Sequence, residues 1–219
     1  VAPNLAPMKP TSLNRRKFLS STGLALSAPF ILPSGILSAA TKPNDRINIG
    51  FIGMGIQNRG LLNGFMRQDS VRAVAVAEVD RNRRDAAREQ VNKKYGNQDC
   101  SDYYDFRELL QRDDIDAVCI ATPDHWHAYQ TIAVLDTGKD VYCEKPLTHN
   151  IHESIAVMKA VERNGRILQT GSMQRSSRIF RVACELVRNG VIGTITRGAV
   201  SFGPPGVPCD LPKEEMEPG

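Results

Sequence analysis

Residues 46–52 read Arg-Ile-Asn-Ile-Gly-Phe-Ile, and the turn Gly53-Met54-Gly55-Ile56 follows at once. The apolar run is typical of a short strand that is buried on both faces of a parallel sheet. Gly53 permits a tight turn, and Gly55 lets the backbone approach a pyrophosphate at the start of a helix. The third glycine of the usual pattern would fall at position 58, where the sequence has Asn. A glycine pair alone is equally compatible with an ordinary turn, so the rest of the chain must decide.

Strand-like and helix-like segments alternate after this turn. Helix-prone segments separate apolar runs that are typical of buried strands, at residues 71–77, 115–121, 140–143 and 167–170. This alternation predicts an α/β fold with a Rossmann-type, doubly wound parallel sheet over residues 41–170. Gly53, Met54, Gly55 and Ile56 are therefore candidate cofactor-binding residues.

Beyond residue 143 the sequence predicts one more capped helix and then the start of a second domain. Asn150 is expected to cap a helix over 151–163, whose apolar side would carry Ile151, Ile155, Met158 and Val161. Residues 171–219 are expected to begin an α+β domain for substrate binding and oligomerisation, with a helix over 177–189 and a strand over 194–202. The chain ends before such a domain would be complete, so we expect a truncated copy.

The first forty residues have the pattern of a targeting segment. Arg15 and Arg16 precede Phe18 and Leu19, and residues 18–40 carry no charge. Residues 1–40 resemble a cleaved twin-arginine signal, which predicts the twin-arginine export machinery as a partner and a periplasmic or otherwise exported protein. A membrane anchor is the alternative, but the prolines and glycines of the segment disfavour a membrane-spanning helix.

Charge excludes one class of partner. The chain has 28 Lys and Arg against 24 Asp and Glu, and four of the basic residues lie in residues 1–40. The remainder is therefore electrically balanced, which gives no electrostatic basis for binding nucleic acid.

Glu78 ends the second predicted strand, 25 residues after Gly53. An acid at this place can bind the ribose hydroxyls of adenosine, although a solvated strand end is the simpler interpretation. A carboxylate favours NAD over NADP because it repels a 2′-phosphate, while the nearby Arg81 and Arg83 weaken that preference.

The loop Thr122-Pro123-Asp124-His125-Trp126-His127 follows the third apolar run. Loops at this edge of a parallel sheet carry ligands, so Thr122, Pro123 and His125 are candidate cofactor-binding residues and His127 is expected to reach the nicotinamide side as a catalytic residue. The alternative is that Trp126 packs and the histidines are polar surface. The two histidines are badly spaced for one helical face, and we predict no metal site.

Lys145 is the strongest catalytic candidate. It lies in Glu144-Lys145-Pro146, directly after the strand 140–143. A lysine that is partly buried beside a cofactor can act as an acid–base catalyst, and Glu144 could hold the nicotinamide ribose. An exposed Lys-Pro turn would be the better interpretation without the upstream glycine turn.

Together these motifs resemble the Gfo/Idh/MocA family, which is named for glucose–fructose oxidoreductase and inositol dehydrogenase. The resemblance runs from about residue 46 to 202 and also includes Gly171-Ser172-Met173-Gln174-Arg175-Ser176. It implies that Lys145 acts at the substrate, that Glu144 contacts the nicotinamide ribose and that Gln174 lies near the cofactor. It also implies that an Asp and a His from a second domain complete the site, that exported members keep their cofactor bound, and that the full-length protein forms a homo-oligomer.

The sequence therefore predicts an exported NAD(P)-dependent oxidoreductase that acts on a sugar, a polyol or a related alcohol or aldehyde. The cofactor would be tightly bound, because free nicotinamide cofactor should be scarce outside the cytoplasm. Two alternatives stay open: an NAD-dependent glycoside hydrolase on the same scaffold, and a non-catalytic nucleotide-binding sensor. Fold analogy alone does not identify the substrate.

Overall fold

The computed structural model describes residues 45–201 and residue 203, so the predicted signal segment lies outside the described residues. The six strands are β1 (Ile47–Ile52), β2 (Val71–Ala77), β3 (Ser101–Tyr103), β4 (Ala117–Ile120), β5 (Asp140–Cys143) and β6 (Leu168–Thr170). The helices are α1 (Ile56–Phe65), α2 (Arg81–Tyr95), α3 (Phe106–Leu110), α4 (Asp124–Asp136), α5 (Ile151–Asn164) and α6 (Arg178–Arg188), with a 3-10 helix at Met173–Ser176.

All six strands run parallel in one sheet, in the order β3-β2-β1-β4-β5-β6. Strands β2 and β3 are added on one side of β1, and the chain then crosses back so that β4, β5 and β6 are added on its other side. The strand order therefore reverses between β1 and β4. In such sheets the carboxyl ends of the strands on the two sides of this reversal leave a crevice where ligands bind. The predicted doubly wound sheet is confirmed.

Two apolar clusters hold the sheet between its helices. Phe51 packs on one face with Leu62 of α1 and Val91 of α2. Its neighbour Ile52 packs in the other cluster, with residues of α3, α4 and α5. Successive residues of a strand point to opposite faces, so β1 is buried on both sides, as its unbroken apolar run predicts. Each fully buried side chain of this size contributes about 1.5–3 kcal/mol of transfer free energy.

Helix α5 begins where the sequence predicts, but it buries a different side. Asn150 caps it by accepting a hydrogen bond from the Glu153 N–H. Val157 and Ala160 are buried, whereas Ile151, Ile155 and Met158 are exposed. The predicted apolar side was therefore wrong for these three residues. Hydrophobicity alone does not fix the contact side, because small residues such as Ala160 allow close approach to a neighbouring element.

The segment after β6 forms a helix but no second sheet in the part of the chain that the structure describes. Helix α6 confirms the helix predicted over 177–189, and it exposes large apolar side chains such as Ile179 and Phe180. Residues 194–201 form no strand, contrary to the prediction, and residue 202 lies outside the described residues. A strand needs a partner for its backbone groups, and no described segment offers one here. The assignment of 171–219 to a second domain stays a prediction.

None of the helices described between residues 45 and 201 has the length and apolar character needed to cross a membrane.

Candidate nucleotide-binding site

The two glycines of the turn between β1 and α1 differ in the space around them. Gly53 has φ +79°, and a Cβ atom there would lie 2.6 Å from Thr122 Cγ2 and 3.2 Å from the Ala121 carbonyl oxygen. A Cβ atom on Gly55 would meet no atom within 4 Å. Gly53 is therefore required by its backbone conformation and by the close loop after β4, while Gly55 leaves free space for a ligand at the start of α1.

Asn58 occupies the position of the missing third glycine. It is fully buried, and its Nδ2 donates to the carbonyl oxygens of Ile52, at 3.0 Å, and Gly53, at 2.7 Å. The Cys119 thiol donates to its Oδ1 at 3.3 Å. Burial raises the pKa of this thiol well above its ordinary value, so it stays a protonated donor. The departure from the glycine pattern thus stabilises the turn from within, a role that the sequence pattern did not reveal.

Glu78 ties the end of β2 to the glycine turn. Its Oε2 accepts a hydrogen bond from the Met54 N–H at 2.5 Å, and its Oε1 accepts one from the Asp80 N–H at 3.0 Å. The Met54 side chain is buried in the apolar cluster with Phe51 and Leu62. Met54, a predicted cofactor-binding residue, is therefore not found on the wall of the cavity described next; its contribution to the site is the N–H that holds Glu78.

A cavity of about 570 Å³ lies at the carboxyl ends of β1, β2 and β4. Six of the predicted cofactor-binding residues line it: Gly53, Gly55, Ile56, Glu78, Thr122 and Pro123. Further lining residues that the sequence did not single out include Gln57, Tyr104, Phe106, Arg107 and Gln130. Of these, Gln130 accepts a hydrogen bond from the Thr122 hydroxyl at 2.7 Å and so fixes the loop after β4.

Aromatic side chains, among them Trp126 and Phe106, line this cavity, and Tyr129 packs against both of these rings. Trp126 meets Tyr129 edge to face with 5.9 Å between the ring centroids, and Tyr129 meets Phe106 at 6.2 Å. The Arg107 guanidinium lies 5.0 Å from the Phe106 ring centroid. Hydrogen bonds to Tyr129 and Asp105 raise the pKa of this guanidinium, so it remains a cation beside the rings. Apolar aromatic side chains beside a cation are well suited to a purine base.

Glu144 is a buried carboxylate that connects three elements. Its Oε1 accepts hydrogen bonds from Gln57 Nε2 at 3.1 Å and from the Tyr142 hydroxyl at 3.2 Å, and its Oε2 accepts one from the Lys145 N–H at 3.3 Å. Burial, together with the Glu144 charge, raises the pKa of Tyr142 to about 12, so Tyr142 stays a donor. Gln57 lines the cavity, so Glu144 is joined to the nucleotide side of the sheet edge, although its role at a ribose stays a prediction.

Lys145 is exposed, and the Lys145–Pro146 peptide bond is cis. In the described part of the chain the Lys145 side chain is exposed on the loop after β5, so partial burial beside a bound cofactor is not tested. Its predicted role as an acid–base catalyst remains a prediction.

The remaining predicted residues lie in different surroundings. His127 is buried with both ring nitrogens beside carbonyl oxygens, whereas His125 is exposed and packs its ring against Trp126. Gln174 is exposed on the 3-10 helix after β6. None of these three residues lines the cavity, and their predicted roles at cofactor or substrate stay predictions. Within the described residues, no group of three or more His, Cys, Asp or Glu side chains could hold a metal ion.

A glycine turn and a cavity at the point where a parallel sheet of order 3-2-1-4-5-6 reverses define a nucleotide-binding domain of the Rossmann class. The chain belongs to the Gfo/Idh/MocA family, described as an oxidoreductase family with an NAD-binding Rossmann fold, which matches residues 47–172. The family resemblance that the motifs suggested is thereby confirmed.

Individual relatives extend this similarity. A glycosyl hydrolase family 109 protein from Shewanella baltica is 27% identical over 215 residues, which cover 87% of this chain and 46% of the relative. A scyllo-inositol dehydrogenase from Lactobacillus casei, solved with NAD(H) and scyllo-inositol, has a TM-score of 0.61 at 27% identity, covering 69% of this chain and 43% of that one. A 3-ketoreductase from Actinomadura kijaniata, solved with NADP, has a TM-score of 0.60 at 26% identity, covering 68% and 45%. The chain therefore spans about half the length of the curated relatives it matches.

Proposed function

We propose that this chain carries the cofactor-binding part of an exported NAD(P)-dependent oxidoreductase that acts on a sugar, a polyol or a related alcohol or aldehyde. One observation carries the proposal. Glu144 connects Gln57 of the cavity wall to the backbone of Lys145, so the glycine turn and the loop that carries the lysine meet at one edge of the sheet. Export is supported by the paired arginines at positions 15 and 16.

The residues present fit a nicotinamide dinucleotide. The open space at Gly55 and the N-terminus of α1 suit a pyrophosphate, Glu78 suits ribose hydroxyls, and the wall that contains Trp126 and Phe106 suits adenine. When bound, the nicotinamide supplies a site that accepts or donates hydride. The chemistry left to the protein is to orient the substrate and to move one proton.

Lys145 is the residue that would move this proton. A lysine amine at the substrate hydroxyl can take its proton during oxidation and return it during reduction. Glu144 holds the Lys145 backbone through the Lys145 N–H, so the lysine side chain starts from a defined backbone position.

NAD is the favoured cofactor within this proposal. The Glu78 carboxylate on the cavity wall repels a 2′-phosphate. Of the two arginines that follow Glu78 on α2, Arg83 also lines the cavity, and both lie beside carboxylates: Arg83 Nε is 3.4 Å from Asp80 Oδ2, and Arg81 Nε is 3.8 Å from Asp85 Oδ2. Retention of the cofactor follows from export, and protein purified without bound nucleotide and without tight affinity for NAD would contradict it.

Replacement of Lys145 tests the proposal. In Lys145→Ala we expect turnover of a polyol and hexose panel to fall about 100-fold or more, because general acid–base catalysis is lost, while the Kd for NAD stays within about threefold. Lys159→Ala, which changes an exposed lysine of α5, is the matched control and should keep both. If Lys145→Ala changes neither turnover nor the Kd for NAD, the protein would be a nucleotide-binding sensor.

Glycoside hydrolysis through transient oxidation of the sugar is the second candidate function. It is favoured by the 27% identity to a glycosyl hydrolase family 109 protein over 87% of this chain. Incubation with 4-nitrophenyl glycosides and NAD separates the two candidates. Release of nitrophenol without net NADH indicates hydrolysis, whereas NADH formed in proportion to oxidised sugar indicates a dehydrogenase.

A further inference from the structure

His127 is a buried ionisable side chain that links two loops of the candidate site. Only 1% of it is exposed, although it lies in the first turn of α4, directly after two exposed residues of the same motif, His125 and Trp126. Its Nδ1 lies 2.7 Å from the Pro146 carbonyl oxygen, and its Nε2 lies 2.9 Å from the Thr122 carbonyl oxygen. Both ring nitrogens are thus occupied by backbone acceptors.

The two acceptors belong to the two halves of the site. Thr122 follows β4 and lines the cavity, and its hydroxyl is already held by Gln130. Pro146 follows β5 and is bonded directly to Lys145. The imidazole ring is therefore a bridge between the wall of the nucleotide cavity and the loop that carries the lysine.

This geometry argues against the catalytic role that the sequence predicts for His127. A general acid or base must reach the proton it transfers, directly or through one water. A ring that is buried and has both nitrogens against carbonyl oxygens has no free nitrogen to offer to a substrate.

We infer that His127 is a positioning residue, which sets the place of the Lys145 loop relative to the Thr122 wall of the cavity. The bridge itself rests only on the two contacts of the His127 ring. Its expected effect on nicotinamide binding also rests on the proposed function. A neutral imidazole has one N–H and donates to only one of the two carbonyl oxygens, whereas a ring that carries both N–H groups donates to both. Side-chain amides can preserve the two contacts one at a time. Asn places its amide nitrogen near the position of Nδ1, facing Pro146, and Gln places its amide nitrogen near that of Nε2, facing Thr122.

Hydrogen exchange of the nucleotide-free full chain tests the bridge. The segment 121–126 contains the bonded N–H groups of Ala121 and Trp126, and the segment 142–149 contains that of Glu144, which donates to Ile120. In His127→Gln, exchange of 142–149 should accelerate about tenfold, a change of about 1.4 kcal/mol, while 121–126 stays within about twofold. His127→Asn should show the reverse, and His152→Asn, an exposed control on α5, should alter neither. Equal acceleration of both segments in both variants, or no acceleration at all, would overturn the inference.

Nucleotide binding tests the consequence. We expect His127→Gln to weaken NADH by about tenfold relative to ADP-ribose, which lacks the nicotinamide, whereas His127→Asn should weaken both ligands by the same factor. A ring that merely fills space would leave this ratio unchanged in both variants, and that result would refute the positioning role. If the wild-type chain binds neither ligand, the proposed function fails, and the exchange experiment still decides the bridge.

A measurement on the wild-type chain covers the case in which a variant does not fold. The bridge requires at least one ring N–H of His127 to be hydrogen-bonded and shielded from water. NMR of the imidazole should show a ring proton of His127 that exchanges slowly with solvent. A ring proton that exchanges as fast as that of the exposed His152 would overturn the inference.

Discussion

Gly171 leaves the space that the Glu144 carboxylate needs, and replacing it should be costly. A Cβ atom at position 171 would lie 2.6 Å from Glu144 Oε1, 2.7 Å from Glu144 Cδ and 3.0 Å from Glu144 Cα. The carboxylate could rotate away, but only by giving up its hydrogen bonds to Gln57 and Tyr142. The Cα atom belongs to the backbone and cannot rotate away. We therefore expect Gly171→Ala to lower the free energy of unfolding by about 1–3 kcal/mol, the usual cost of overpacking.

Urea unfolding followed by far-ultraviolet circular dichroism measures this cost. Gly60→Ala is the matched control, because Gly60 lies within α1 and a Cβ atom there would meet nothing within 4 Å. The control should be more stable than wild type by up to about 1 kcal/mol, since alanine is the better helix former. In a Glu144→Ala background, Gly171→Ala should cost less, because only the crowding against the backbone of residue 144 remains. A Gly171→Ala variant as stable as wild type would refute the reasoning.

Three further changes test other interactions. Asn58→Ala should lower the free energy of unfolding by about 1–3 kcal/mol in urea titrations, because the Gly53 carbonyl loses the Asn58 donor and the Ile52 carbonyl keeps only the Ala121 N–H, whereas the exposed Asn82→Ala should change it little. Glu78→Gln should reduce the preference for NAD over NADP in paired Kd measurements, and an unchanged ratio would contradict the repulsion argument. Hydrogen bonding to Arg112 lowers the pKa of Asp114 below its ordinary value; Asp114→Asn should therefore cost less than about 1 kcal/mol of stability at pH 7, a difference that is complete above pH of about 4 and vanishes as the pH falls through the lowered folded-state pKa.

The fold was predictable from sequence because the central strands β1, β2 and β4 are mainly apolar runs, and because glycines and helix caps separate the elements. The short edge strand β3 was not predicted, since three partly buried residues, Ser101–Tyr103, carry no periodic signal. The sequence predicts the first helix over residues 59–66, whereas α1 begins at Ile56, because the glycine turn leads into the helix without a linker.

The site was predictable where residues touch the backbone of the turn and less so where they meet across the sheet. Gly53 and Glu78 lie at strand ends, and a strand end is visible in the sequence. The contacts between Gln57 and Glu144, 87 residues apart, and between His127 and Pro146, 19 residues apart, depend on strand order and on side-chain direction. Neither is encoded in local spacing, which is why the sequence led to the expectation that His127 reaches the nicotinamide side, whereas its ring lies inside the protein.

The third position of the glycine pattern shows what that pattern requires physically. A glycine there lets the first helix pack closely on the first strand. In this chain the same volume holds Asn58, whose amide reaches the carbonyl oxygens of Ile52 and Gly53. The turn thus has two hydrogen bonds, one buried and one partly buried, in place of a close approach, and a Cβ atom on Gly60 would meet nothing within 4 Å. A search that insists on the third glycine would reject this site, whereas one that asks whether the turn carbonyls have donors and whether position 55 stays open would accept it.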